Sequence, residues 1–351
     1  MSIGPRLNAK SRPSWGNDPA AYRLHQTQVA GHMKIFAGGR PQLSFALLIF
    51  AGMCLVFPEA VRAENMLYAD HPLVGKIWDM RSRSFIDEAT LLARIAKANV
   101  LLLGETHDNP QHHDYQQRLL KARIDSGARP ALLMEQLDTA NQPELDLALA
   151  GNNRDEALNM ATRLIKFTDW QFYRPFLAMA IDSKLPVIAA NISSQELQPV
   201  IWNGFSAYDA AAIKRMAVED VWSESRQNYM LRHMGGAHCG EVRESLREGL
   251  TRGQRLRDAL MADAAMPGIG RGVVGIVGSS HARRDVGMPL YLAARAPLAV
   301  IYSIGFVEVI PGRNVPETYE TESASGDAPF DVVWFTSRVE RSDPCAELNK
   351  K

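Results

Sequence analysis

The sequence contains few cysteines, no surplus of charge and only one long uncharged apolar run. Lys and Arg together number 39, as do Asp and Glu, so the formal net charge is zero. Residues 1–63 hold seven basic and two acidic residues, so the remainder carries 39 − 7 = 32 basic and 39 − 2 = 37 acidic residues, or −5. A mildly acidic chain has no electrostatic reason to bind nucleic acid. We therefore expect no nucleic-acid partner.

Several motifs of common enzyme classes are also missing. The chain has no phosphate-binding loop and no dinucleotide fingerprint. Gly278-Ser279-Ser280-His281 places a serine beside a histidine, but it lacks the Gly-x-Ser-x-Gly elbow of serine hydrolases. No internal repeat or low-complexity tract is present, and the apolar fraction of 46% with 22% charged residues predicts a globular protein.

The apolar run lies near the N-terminus and has the layout of an export signal. Lys34 and Arg40 precede an uncharged segment from Pro41 to Pro58, and Ala60-Val61-Arg62-Ala63 follows it. A basic flank, a short apolar core and small residues at the exit are typical of a cleaved signal peptide. We predict cleavage after Ala63, which makes residues 1–63 an N-terminal extension with a signal peptide. The mature protein would then be exported, either periplasmic or attached to the periplasmic side of a membrane.

Two other fates of this segment stay open. An uncleaved anchor is one, although the run is at the short end for spanning a bilayer. Lipidation at Cys54 is the other, although Met53 is a poor residue before a lipoprotein cleavage site. After Ala63 only Cys239 and Cys345 remain. Two cysteines in an oxidising compartment can pair, so a disulfide between them is expected.

The mature chain alternates short apolar strands with helices. This order predicts an α/β fold, a mostly parallel sheet flanked by helices, in a single domain over residues 64–351. Residues 194–265 are almost entirely helical in pattern and predict a helical subdomain beside the sheet. The predicted strands are Asn99–Leu103, Ala131–Met134, Val187–Ala190, Gly272–Val277, Ala299–Ile304 and Phe330–Phe335.

Polar side chains follow four of these strands. Glu105 and His107 come after the first, Glu135 after the second, Asn191 after the third and His281 after the Gly272–Val277 strand. The carboxyl ends of parallel strands meet at one edge, where α/β sheets bind ligands. We therefore expect His107, Glu135 and His281 to share a pocket with Glu105 beside them.

This residue set suits two kinds of chemistry. Two imidazoles and two carboxylates can hold a divalent metal ion, as in a metal-dependent hydrolase that uses Glu105, His107, Glu135 and His281. The same groups can also transfer protons. A third interpretation is that each histidine is buried and bonded to backbone. His112 and His113 follow on the next helix, where at most one can face the cleft, and a solvent-facing pair is equally expected.

The motifs together resemble those of the ChaN-like haem-binding family. The resemblance covers roughly residues 70–305 and implies haem binding and iron uptake, and it places the chain in a wider group with the erythromycin esterases and the Tiki and TraB proteins. Some members of that group are metal-dependent hydrolases, so the enzymatic alternative stays open. The matching segments are Leu102–His113, Leu133–Gln136, Asp169-Trp170, Phe172–Phe176, Pro186–Ile192, Gln254–Asp263 and Gly275–Gly287.

A second cluster contains residue types that ligate haem iron. Met230, His233 and Met234 share a helical face, with Tyr229 and His238 close in sequence. Tyr, His and Met all serve as axial ligands, although a methionine-rich core face explains the pattern equally simply. Arg174 or Arg232 would bind a propionate, and a haem shared between two copies of the chain is expected. The sequence has no Cys-x-x-Cys-His, so covalent c-type attachment is excluded.

Overall fold

The structure is a computed structural model that describes residues 66–237, 243–319 and 323–341. The predicted signal peptide, the lipidation alternative at Cys54, His238 and the predicted Cys239–Cys345 disulfide all lie outside the described residues. They stay predictions.

An eight-stranded, mostly parallel sheet forms the centre of the fold. Its strand order is β3-β2-β9-β8-β4-β7-β5-β6. The six strands from β9 to β6 run parallel to one another, whereas β2 is antiparallel to both β3 and β9. The strands are β1 (Met66–Leu67), β2 (Ile77–Asp79), β3 (Ser84–Ile86), β4 (Val100–Glu105), β5 (Ala131–Asp138), β6 (Val187–Asn191), β7 (Val273–Gly278), β8 (Ile301–Glu308), β9 (Val332–Thr336) and β10 (Arg338–Val339).

The helices lie between the strands in sequence. They are α1 (Glu88–Ile95), α2 (Pro110–Asp125), α3 (Gln142–Leu149), α4 (Arg154–Arg163), α5 (Trp170–Asp182), α6 (Ser194–Asn203), α7 (Ala210–Arg215), α8 (Glu224–Ala237), α9 (Glu244–Ala265), α10 (Ser279–Ala282) and α11 (Met288–Arg295). The six predicted strands correspond to β4 to β9, so the prediction of an α/β fold with a mostly parallel sheet is confirmed.

Alternation along the central strands builds a hydrophobic core on each face of the sheet. In β4, Val100 and Leu102 belong to one core, and Leu101 and Leu103 belong to the other. This follows because successive side chains of a strand point to opposite faces. Helices α1 to α5 pack on the Leu101 side, and helices α6, α7, α9 and α11 pack on the Leu102 side. Layers on both faces explain why the parallel strands are apolar throughout.

The described residues of the segment predicted as a helical subdomain, 194–237 and 243–265, are mostly helical, and they cover one face of the sheet. Leu197 and Leu256 share a core with the strand residues Leu102 and Val277. The sequence analysis had placed this segment beside the sheet instead of on its face. Helical periodicity identifies the apolar face of a helix, but it does not show what that face packs against. Only α8 departs from this layer, since Tyr229 packs in a small separate cluster.

Within the described part of the chain, no helix combines the length and the apolar character needed to cross a bilayer.

Candidate functional site

The two Gly-x-x-His motifs lie side by side at the carboxyl edge of the sheet. Strands β4 and β7 are parallel neighbours, and Glu105 is in register with Gly278. Each glycine makes room for the other motif. A Cβ atom at Gly104 would lie 2.7 Å from Cβ of Ala282, and one at Gly278 would lie 3.1 Å from Nε2 of His107. The motifs are therefore packed against each other through their glycines.

Glu105 is the centre of the first half of the site. Its Oε1 lies 2.9 Å from Nδ1 of His107 and accepts a 2.6 Å hydrogen bond from the Tyr173 hydroxyl. Its Oε2 lies 3.2 Å from Nδ1 of His113. Burial alone would raise the pKa of Glu105, but His113 and His107 outweigh it and lower this pKa to about 2. The carboxylate is therefore ionised at neutral pH.

The start of α2 brings His113 to this carboxylate. Asn109 caps the helix by accepting from the backbone N–H of Gln111, and Pro110 occupies the first turn. One turn later, Nε2 of His113 lies 2.9 Å from the carbonyl oxygen of His107, and its ring stacks on Phe172 at 4.7 Å. The histidine is buried, with Nε2 near the carbonyl oxygen of His107 and Nδ1 facing the carboxylate of Glu105. Although burial opposes the charged form, Glu105 raises the pKa of His113.

His107 is the member of this group that solvent reaches. Its side chain is 41% exposed, against 2% for His113. Nδ1 faces Glu105, while Nε2 makes no hydrogen bond with any described residue, and the ring edge meets Phe167 with centroids 4.8 Å apart. Burial would lower the pKa of His107, but Glu105 and Glu135 raise it.

A second chain of buried groups continues from Glu135. Its Oε2 accepts a 2.6 Å hydrogen bond from the backbone N–H of Gly278, and its Oε1 lies 3.4 Å from Nε2 of His281. Nδ1 of His281 lies 2.7 Å from Oδ1 of Asp258. Nε2 of Gln254, which is on α9 together with Asp258, lies 3.0 Å from the same Nδ1. The histidine is thus held between two carboxylates.

The two carboxylates dominate the electrostatics of His281. Burial disfavours its charge, yet Glu135 and Asp258 raise the pKa of His281 to about 10. Burial raises the pKa of Asp258 to about 6, despite the opposing effect of His281. The pKa of Glu135, which burial alone would raise, is lowered by His281. At neutral pH the site is an ionic network with imidazolium between carboxylates.

The structure does not support a divalent-metal site in this network. Among the described residues, no group of three or more His, Cys, Asp or Glu side chains is arranged to hold a metal ion. The reason is that donors and acceptors are paired with one another: Glu105 faces two imidazoles, and Glu135 faces Gly278 and His281. The predicted metal alternative therefore has no geometric basis here.

His112 was a candidate haem or metal ligand, and the structure places it elsewhere. Its Nδ1 accepts a 2.8 Å hydrogen bond from the backbone N–H of Thr106, and its Nε2 lies 2.9 Å from Oγ1 of Thr336. Burial lowers the pKa of His112 to about 3. Both nitrogens are occupied and the ring is fully buried, so His112 joins the loop to β9 and is not free to bind a ligand. Neither His112 nor His113 faces solvent as the alternative expected.

The second predicted cluster lies on α8. Tyr229 and Met230 are buried in a small apolar cluster with Val286. His233 is exposed and stacks on Tyr229, with ring centroids 5.9 Å apart and planes 11° from parallel. The guanidinium of Arg283, two residues after His281, lies 4.8 Å from the Tyr229 ring centroid. Lost hydration and the charge of Arg283 lower the pKa of His233.

Other predicted positions do not join the network. Arg174 on α5 is half-buried and donates to Oδ1 of Asn159 at 3.0 Å. Asn191, which was predicted to follow the third strand, is the last residue of β6, and its side chain accepts from the adjacent backbone N–H of Ile192.

Sequence reasoning missed Asp258 and did not assign Tyr173 to the network. A signal for Asp258 exists: it occurs among Leu256, Ala259 and Ala262 on the buried face of α9, and a buried carboxylate requires a partner. Tyr173 lies in the segment Phe172–Phe176, which carried part of the family resemblance without a role for this side chain. Its hydroxyl group donates a hydrogen bond to Glu105.

The chain matches a known protein family over more than half of its length. Residues 91–292 match the family described as haem-binding uptake, Tiki superfamily, ChaN. No curated protein sequence is significantly similar to this chain.

A solved structure shares the fold. The structure titled cofacial heme binding to ChaN of Campylobacter jejuni superposes with a TM-score of 0.59 at 21% identity, over 74% of this chain and 95% of that one. A mutant of the erythromycin esterase EreC, in its open conformation, gives a TM-score of 0.43 at 11% identity, over 72% of this chain and 95% of that one.

Proposed function

Since the chain belongs to the ChaN family of haem-binding uptake proteins in the Tiki superfamily, we propose that it binds haem. The family match over residues 91–292 carries this proposal. It includes both Gly-x-x-His motifs and the whole of α8. The metal-dependent hydrolase, which was the alternative, has no observation in its favour, because the carboxylates it needs are already paired with imidazoles.

The donor set on α8 fits haem. A haem site needs an axial ligand for the iron, an apolar wall and cationic groups for the propionates. His233 is exposed, and its lowered pKa favours the neutral imidazole that can ligate iron. Tyr229 and Met234 lie on the same helix, and the exposed Arg232 next to His233 supplies positive charge. Bound haem would offer its iron for coordination by an axial ligand, and these residues would hold and orient the macrocycle.

The buried network at the sheet edge fits haem less well. His107 also exposes an imidazole, but it stands directly beside Glu105 and Glu135. Carboxylates at this distance would repel the propionates of haem. Met230, a predicted iron ligand, is 2% exposed, so its sulfur cannot contact haem unless the side chain leaves the core. We therefore assign the iron ligand to His233, whose imidazole stacks on the buried ring of Tyr229.

A haemin titration followed by the Soret band tests haem binding. The full mature chain should saturate at a defined stoichiometry. His233→Ala should weaken binding by about tenfold or more. Tyr229→Phe removes the phenol oxygen but keeps the aromatic ring, so it shows which of the two contributes to binding. His107→Ala is the matched control, since it removes the other accessible imidazole and should leave the affinity unchanged. A titration that never saturates would contradict haem binding, and a saturable titration that is identical in all three variants would contradict the assignment of the iron ligand to His233.

We further propose that the protein is exported and handles haem during iron uptake. The basic, apolar and small-residue order before Ala63 supports export. N-terminal sequencing of the secreted protein should find Glu64 first. A start at Cys54 would indicate lipidation, and an intact N-terminus would indicate an anchor at the periplasmic side of a membrane.

We propose a homodimer that shares haem. His233 is on the surface, so a macrocycle bound there would leave one face uncovered, and a second copy would remove that apolar face from water. Sedimentation velocity with and without haemin should show a haem-dependent shift from monomer to dimer. A monomer at every haemin concentration would contradict this arrangement.

A further inference from the structure

A cleft between α4 and α5 has the properties of a second ligand site. It is a cavity of about 400 Å³ lined by Asn159, Thr162, Arg163, Ile165, Trp170 and Arg174. This volume lies within the usual range for small-molecule sites, about 300–1,000 Å³. None of the six residues belongs to the buried network or to α8.

The charge in the cleft is positive and uncompensated. Arg163 is exposed and makes no ion pair or hydrogen bond with any described residue, and Arg174 is bonded only to the neutral amide of Asn159 among them. Arg154, at the other end of α4, shows the usual arrangement, because Asp182 holds it with two hydrogen bonds. The cleft itself has no acidic lining residue. Two guanidinium groups of the lining therefore have N–H donors available for an anion.

The side chain of Trp170 lines the cleft together with the two arginines. The indole of Trp170 is 46% exposed although tryptophan is costly to leave in water, and Ile165 adds apolar surface. Arginine matches the planar geometry of a carboxylate and forms two parallel hydrogen bonds to it. Tryptophan stacks on planar rings. An arginine pair with a tryptophan thus selects a flat aromatic body that carries a carboxylate.

We propose that this cleft binds planar aromatic carboxylates, with Arg163 and Arg174 holding the carboxylate and Trp170 stacking on the ring. The lining contains no His, Cys, Tyr, Met, Asp or Glu. The cleft therefore binds its ligand without a metal ion, and its occupancy is independent of haem ligation on α8.

Isothermal titration calorimetry of the full mature chain with 2-naphthoate tests this site. We expect saturable binding at one site per chain. Arg163→Ala, Arg174→Ala and Trp170→Ala should each weaken binding by about tenfold. Arg154→Ala is the matched control, since it removes an exposed arginine of the same helix outside the cleft, and it should bind like the unmodified protein. The neutral analogue 2-naphthamide should bind about tenfold more weakly.

Three results would overturn the proposal: no saturable binding of 2-naphthoate, equal affinity for the neutral amide, or equal affinity in all cleft variants. Circular dichroism verifies that each variant is folded, and all three substituted side chains are exposed or half-buried. Competition with haemin then shows whether the carboxylate ligand of the cleft is a haem propionate. If haemin displaces 2-naphthoate, and still does so in His233→Ala, the natural ligand is a porphyrin propionate. If haemin does not displace 2-naphthoate, the natural ligand is a separate aromatic acid.

Discussion

The imidazole of His107 fills the space beside Gly278, where an added Cβ atom would lie 3.1 Å from its Nε2. The backbone of Gly278 has φ −61° and ψ 150°, a conformation open to any residue. This glycine is therefore required for contact with the histidine and not for its backbone angles.

Gly278→Ala should displace the His107 ring and lower the free energy of unfolding by about 1 kcal/mol. Gly104→Ala should cost more, about 2–3 kcal/mol, because its Cβ would lie 2.7 Å from Ala282 and 3.2 Å from the Ile304 carbonyl oxygen. Urea unfolding measures both. The control is Gly270→Ala, whose Cβ meets no atom within 4 Å. Equal losses in all three variants would show that close packing of the motifs is not responsible.

Tyr173→Phe should destabilise the protein without creating a cavity. The variant removes only the hydroxyl group that donates to Glu105 at 2.6 Å. A hydrogen bond to a buried carboxylate contributes about 1.5–3 kcal/mol, and urea unfolding should show a loss of this size. Tyr115→Phe is the matched control: its ring stacks on Trp334 with centroids 4.3 Å apart, and its hydroxyl bonds to no described residue. If both variants lose the same stability, the bond to Glu105 contributes nothing specific.

Asp258→Asn should lower the pKa of His281 by about one unit or more, because one of its two carboxylate partners loses its charge. The raised pKa of about 10 means that the folded chain binds a proton that the unfolded chain releases near pH 6.5. Stability from this group is therefore complete below about pH 6.5 and is lost as the pH rises toward 10.

NMR titration of the imidazole and urea unfolding at several pH values measure these two effects. The slope of stability against pH between 6.5 and 10 should flatten in Asp258→Asn. Asp263→Asn, on the same helix, removes a carboxylate that pairs with Arg215 and Arg295. It should leave the His281 titration unchanged, and a similar change in both variants would rule out a specific effect of Asp258.

His112 should remain neutral in the folded protein down to about pH 4, since its pKa is about 3. Its unfolded form takes up a proton near pH 6.5, so this histidine weakens the fold as the pH falls from 6.5 toward 3. His112→Ala leaves the Thr106 N–H and the Thr336 hydroxyl without this partner, and each orphaned group costs about 1–3 kcal/mol.

NMR titration and urea unfolding check this prediction, with His233→Ala as the exposed control. The control should change stability by less than about 0.5 kcal/mol. The affinity for haemin should respond in the opposite way to the stability. It should be unchanged in His112→Ala and reduced in His233→Ala. A His112 resonance that titrates near pH 6.5 would show that the ring is not buried as described.

Sequence alone determined the sheet and the edge at which polar residues collect. The strand Val273–Gly278 is apolar throughout and Val100–Glu105 is apolar up to its last residue, and uninterrupted apolar runs between helices specify parallel strands covered on both faces. Because parallel strands end at a common edge, the approximate positions of Glu105, His107, Glu135 and His281 followed from their places after the predicted apolar runs. The family resemblance also rested on these local motifs.

Only the tertiary structure decided which polar groups pair. Asp258 reaches His281 from a helix 23 positions away in sequence, and Tyr173 reaches Glu105 from 68 positions away. Such contacts depend on how helices dock on the sheet, and periodicity specifies an apolar face without its partner. Adjacent His112 and His113 show this most clearly, because the helix turns about 100° per residue: one ring meets Thr336 and the other meets Glu105.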